Sequence, residues 1–127
     1  AIHHHGNIKG LIIEEYPAQH KQMPSGWGEE YLSTPWGERM QTHTVMEIEL
    51  ESRQVDFEGD LVKLDCLSLI MWGGSEGSIL SDDDMECYSR CLRNIRLEVF
   101  EDAGHDIQTE HFDRFVKVIN AFLIELG

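Results

Sequence analysis

Residues 96–106 read Arg-Leu-Glu-Val-Phe-Glu-Asp-Ala-Gly-His-Asp, and an apolar stretch follows them to the end of the chain. Leu97, Val99 and Ala103 alternate with Glu98 and Phe100 in a short β-type run that breaks at Gly104. A glycine there permits a tight turn and brings His105 out at the carboxyl end of the strand. In open α/β sheets that end is where ligands and catalytic groups collect. Beyond it, Thr109 is placed to cap a helix in which Phe112, Phe115, Val116, Ile119, Phe122, Leu123 and Leu126 recur at helical spacing.

Two earlier runs have the same β character. Residues 8–13, Ile-Lys-Gly-Leu-Ile-Ile, end at Glu14-Glu15-Tyr16-Pro17, and residues 67–72, Leu-Ser-Leu-Ile-Met-Trp, lead into Gly73-Gly74-Ser75-Glu76-Gly77-Ser78. Near-continuous apolar strands predict burial on both faces, as in a parallel sheet. After the second run, Ser81 reads as a helix cap, with Asp82, Asp83 and Asp84 in the first turn where they favour the helix dipole. That acidic run lacks the spacing of a calcium loop and is not read as a cation site. Residues 18–37 are rich in Pro, Gly and aromatics, among them Trp27 and Trp36, and read either as an irregular connection or as a short lid. Residues 38–53 carry Met40, Val45, Ile48 and Leu50 on one side of a predicted helix. Strand, connection, helix, strand, helix, strand and helix predict an α/β fold: a three-layer parallel sheet with crossover helices.

The chain has 127 residues, enough for one modest core. Its 24 acidic against 10 basic residues, a net charge of -14, leave no basic stripe for phosphates and argue against nucleic-acid binding. No apolar run approaches the ~20 residues of a membrane span, so no membrane partner is expected. Cys66, Cys87 and Cys91 are an odd number, and the last two lie four apart on a predicted helix. Reduced, buried thiols of a cytoplasmic protein are expected. His3, His4 and His5 read as a tag remnant, a metal site or a helix end. Adjacent helical histidines point in different directions, which disfavours one metal. Gly6-Asn7 favours a native helix end, and no metal or cofactor is predicted.

The combination of strand, Gly104-His105 and terminal amphipathic helix resembles the last strand, catalytic histidine and last helix of the α/β-hydrolase family. The run 8–13 resembles the sixth strand of that fold, and residues 18–60 its cap or lid-like insertion and helix. Gly73, two variable residues and Glu76 resemble the turn that carries the triad acid, where Asp is commoner. The resemblance implies His105 as general base and Glu76 as the carboxylate that orients it, the two within hydrogen-bond reach. Glu15 is the alternative acid, since haloalkane dehalogenases and related branches place the acid after the earlier strand. Trp27 and Trp36 would line a cleft for a small acyl substrate, an ester or related compound.

Gly73-Gly74-Ser75-Glu76-Gly77 spells Gly-x-Ser-x-Gly, but it follows the strand that leads to the acid position, and no Ser, Cys or Asp stands at a strand-to-helix elbow. The resemblance therefore extends over residues 1–127 but only over the C-terminal half of an α/β-hydrolase fold. The nucleophile would come from an N-terminal half upstream of Ala1. One reading is the acid–base half of an esterase-like hydrolase, inactive alone; a haloalkane-dehalogenase-like or C–C bond hydrolase branch is a variant of it. The other is a non-catalytic α/β binding or interaction domain. Either the N-terminal half or self-association through the strand 8–13 is expected to cover the unpaired edge.

Overall fold

The computed structural model describes residues 5–127, so His3 and His4 lie outside the described residues. The first elements are a 3-10 turn over His5–Asn7, strand β1 (Gly10–Glu14) and the two-residue strand β2 (Gln19–His20). Helix α1 (Trp27–Leu32), a 3-10 turn over Gly37–Arg39, helix α2 (Thr42–Glu51) and strand β3 (Val55–Asp56) follow. The remainder comprises α3 (Glu58–Leu61), β4 (Leu67–Gly73), α4 (Asp82–Cys91), β5 (Ile95–Phe100), α5 (Ile107–Glu110) and α6 (Phe112–Glu125). Residues 1–18 with 57–127 form one compact unit, and residues 19–56 form a second.

The first unit is built on a sheet of order β1-β4-β5, parallel throughout, with Gly10 opposite Leu67 and Ser68 opposite Ile95. Alternation along β4 splits the core into two layers. Ile70 joins Leu80, Met85, Tyr88 and Leu92, whereas Leu69 and Met71 meet Phe100, Ile107, Val118 and Phe122. Helices therefore pack against both faces of β4, the arrangement that a continuous apolar strand requires. The edge strands are less covered than their sequences predict: Ile12 is 37% exposed and Leu97 44%. Among the described residues each has a single strand neighbour.

Local chemistry sets the helix limits. Ser81 accepts from the Asp84 N–H while the Asp84 carboxylate accepts from the Ser81 N–H, a reciprocal cap that opens α4. Thr109 does not cap the last helix; it lies inside α5, and His111 occupies the cap position of α6. Val118 replaces Val116 on the buried face of α6, with Phe115, Ile119, Phe122 and Leu126. Phe112, Val116 and Leu123 face outward, because the one-residue break at His111 sets the phase of the helix.

In the second unit, β2 and β3 pair antiparallel. The stretch 18–37 is not wholly irregular, since α1 forms within it and Trp27 stacks on Tyr31 with ring centroids 5.2 Å apart. Residues 38–41 are not part of the predicted helix. Met40 is extended after the 3-10 turn, and α2 begins only at Thr42. A side chain at Gly37 would run into the backbone of Tyr31 and Leu32, so this tight return depends on glycine. Glu49 of α2 fastens α1 by accepting from the Gly26 N–H at 2.9 Å and the Gly28 N–H at 2.6 Å. These two donors hold its carboxyl below the usual range.

Candidate active site

The carboxyl edge of the sheet is organised by Glu15, the residue after β1. Its backbone is left-handed, with φ 45°, a conformation that a non-glycine residue adopts at a cost of about 1–2 kcal/mol. The turn keeps the Glu15 N–H on the Met71 carbonyl at 3.0 Å and sends the side chain into the interior, where it is fully buried. There the carboxylate accepts from the Gly73 N–H at 2.6 Å and the Ile79 N–H at 2.7 Å. The Ser78 hydroxyl, 2.9 and 3.0 Å from the two oxygens, donates as well. A buried charge is tolerable when donors surround it in this way. Trp72 closes the same loop by donating from Nε1 to the Leu80 carbonyl at 3.1 Å.

The loop after β4 then runs beside the loop after β5. Gly74 N–H donates to Phe100 at 2.8 Å, and Ser75 N–H donates to Ala103 at 3.1 Å. A side chain at Gly73 would collide with the carbonyl oxygens of Ala103 and Gly104, so the close approach requires glycine. A Cβ placed on Gly104 would stand 3.2 Å from the Glu76 carbonyl oxygen, which makes the backbones carrying Glu76 and His105 immediate neighbours. Both side chains are exposed. Among the described residues, no hydrogen bond joins His105 to Glu76 or to Glu15, contrary to the expected pairing. Glu15 is committed to the β4 loop, while Glu76 and His105 share an edge with no hydrogen bond between them among the described residues.

The carboxyl group that His105 does influence belongs to Glu14, which the sequence reading treated only as the end of a strand. Glu14 is half-buried at the tip of β1, and its Oε1 is buried without a hydrogen-bond partner among the described residues. Burial raises its pKa; the Gln108 backbone N–H and the charge of His105 pull it down, and Asp106 and Glu15 push it up. The signal available was the doubled Glu14-Glu15: in a strand, consecutive residues face opposite ways, so only one of the two can turn to each side. His111 also meets a carboxylate, with Nε2 3.2 Å from Asp102 Oδ1, and its ring is tilted against Phe100. Trp27 is half-buried within the second unit, and Trp36 is 69% exposed there.

No family model and no curated protein matches the sequence, but solved structures match the fold. A proline iminopeptidase from Mycobacterium smegmatis is 14% identical with a TM-score of 0.67, over 99% of this chain and 60% of its own. The esterase RhEst1 from Rhodococcus sp. ECU1013 is 15% identical with a TM-score of 0.65, over 98% and 59%. MGS-M2, an α/β hydrolase from a deep-sea metagenome library, gives 16%, 0.68, 91% and 56%. The chain thus carries a partial α/β-hydrolase fold, consistent with its C-terminal part, and spans less than two thirds of the length of these structures. No helix among the described residues is long and apolar enough to cross a membrane.

Two substitutions check this edge. Glu15→Gln leaves an amide nitrogen facing a donor and should cost about 1.5–3 kcal/mol in denaturant unfolding; an unchanged midpoint would contradict the buried cage. Glu14 has a raised folded pKa, so its contribution to stability is present below the ordinary carboxyl pKa. It is lost as pH rises through the raised value. The stability of the chain relative to Glu14→Gln should therefore fall across that interval and then level. A difference independent of pH would show that Glu14 titrates normally.

Proposed function

We propose that the chain is the acid–base part of an α/β hydrolase acting on an ester or related acyl compound. The carrying observation is the adjacency of the loops bearing Glu76 and His105 at the carboxyl edge of a parallel sheet of that fold. In this reading a small movement of exposed side chains lets Glu76 accept from one imidazole nitrogen of His105. The other nitrogen then takes the proton of a nucleophile and returns it to the leaving group. Glu14, which interacts electrostatically with His105, adds negative potential that favours the imidazolium formed during transfer. Glu15 has less support as the acid, because its carboxylate is already surrounded by donors; the dehalogenase-like and C–C hydrolase branches lose weight with it. The unit of residues 19–56 would act as a cap, offering Trp27 and Trp36 to the apolar part of the substrate.

In this reading the nucleophile comes from outside the chain, because Ser75 of Gly73-Gly74-Ser75-Glu76-Gly77 lies in the loop between β4 and α4 and not at a strand-to-helix elbow. The isolated chain should therefore show no turnover of a p-nitrophenyl ester. Activity should appear when a polypeptide carrying the nucleophile elbow of the fold is supplied, and His105→Ala should then lower it by about 10²–10⁴-fold. Turnover by the chain alone, or reconstituted turnover indifferent to His105→Ala, would defeat the proposal. The second reading, a non-catalytic binding domain, draws on the lack, among the described residues, of a hydrogen bond from His105 to Glu76 or Glu15. It predicts no reconstituted activity.

Either reading needs a partner for β1. Its outer N–H and C=O groups have no strand neighbour among the described residues, and Lys9 is the charged residue flanking an Ile-rich edge. Beside it, Leu11, Ile13, Tyr16, Phe57, Leu61 and Leu64 line an apolar cavity of about 290 Å³. We infer that this edge pairs with the remainder of the fold or, in its absence, with a second copy. Sedimentation of the purified chain should reveal association at micromolar concentration. A cooperative, well-folded monomer would count against it.

A further inference from the structure

Outside the sheet edge, α3 and α4 bring together two thiols and a carboxylate. Cys87 and Cys91 lie one turn apart on α4, so both side chains descend on the same face. Glu58 opens α3 opposite them. The two sulfur atoms and one carboxylate oxygen all lie within 4.8 Å of one another, and Cys87 donates from Sγ to Glu58 Oε1 at 3.3 Å. We propose that Glu58, Cys87 and Cys91 bind a thiophilic divalent cation of the zinc class through two thiolates and one carboxylate oxygen.

Tetrahedral zinc, with bonds to sulfur of about 2.3 Å and to oxygen of about 2.0–2.2 Å, holds its ligand atoms roughly 3.5–3.8 Å apart. The observed cluster needs only a slight adjustment to reach that spacing. Soft thiolates select zinc or cadmium over magnesium or calcium. Charge also balances. Two thiolates and a carboxylate exceed a dication by one negative charge, and Arg90, with Nη2 3.0 Å from Glu58 Oε1, supplies the positive charge. Both sulfurs are buried, while the Glu58 side chain is 29% exposed and gives the ion its entry and a fourth position for water. Without metal the Cys87 thiol keeps its proton: burial foremost, then Glu58, pushes it up to about 12. Binding therefore exchanges two S–H bonds for two metal–sulfur bonds and releases both protons to solvent.

Cadmium(II) added to the reduced, metal-stripped chain should give a thiolate-to-cadmium charge-transfer band that saturates at one ion per chain and is displaced by zinc. Histidine ligation gives no such band, so residues 3–5 do not mimic it. Cys66→Ser should keep the band, and Cys87→Ser or Cys91→Ser should abolish it. Glu58→Gln should keep it with affinity lowered about tenfold or more. Circular dichroism verifies the fold of each variant. If the core cysteine variants do not fold, Glu58→Gln, at a half-exposed position, decides the matter. No band in the folded chain, a band that follows Cys66, or unchanged affinity in Glu58→Gln would overturn the site.

Discussion

A single buried carboxylate fixes the geometry of this molecule's sheet edge. Glu15 leaves the strand ladder through a left-handed turn and spends its charge on Gly73, Ser78 and Ile79. The neighbouring loop is thereby shaped around the carboxylate, and that loop in turn meets the one carrying His105. The strain of the turn, about 1–2 kcal/mol, is offset by charge-assisted hydrogen bonds of about 1.5–3 kcal/mol each. Backbone hydrogen bonds join the two loops, and Glu76 and His105 project from them exposed.

Much of the fold was legible because its central signals are local or periodic. Residues 67–72 are apolar on both sides and became the covered central strand, and Ser81 with Asp84 formed the reciprocal cap. The errors have equally physical causes. Thr109 is as good a cap as any by composition, but the chain makes an extra turn of helix and restarts at His111, which rotates α6 and turns Val116 outward. The delayed start of α2 goes with the tight return at Gly37 against the backbone of Tyr31 and Leu32, a crowding that periodicity does not register.

The candidate site was legible only to the level of loops. Gly73 marked where β4 ends and is used for close backbone approach, whereas β5 already ends at Phe100 and Gly104 lies in the loop beyond it. Which carboxylate faces which way was not readable, because Glu14 and Glu15 differ by one residue and the left-handed turn at Glu15 decides between them. The grouping of Glu58 with Cys87 and Cys91 joins segments 29 residues apart in sequence, and helix spacing alone reveals only the two thiols.

The excursion of residues 19–56 leaves the first unit at Ala18 and returns at Phe57, and the Phe57 N–H donates to the Ala18 carbonyl at 3.0 Å. Its two ends are thus pinned together by the sheet-bearing unit itself. Closing a loop between fixed ends costs only about 0.6 kcal/mol for each doubling of its length. Such a junction behaves as a socket: insertions of different size and sequence are interchangeable there at little thermodynamic cost. Selection is then free to rework what the insertion contacts while leaving the Glu15 cage and the loops beside it untouched.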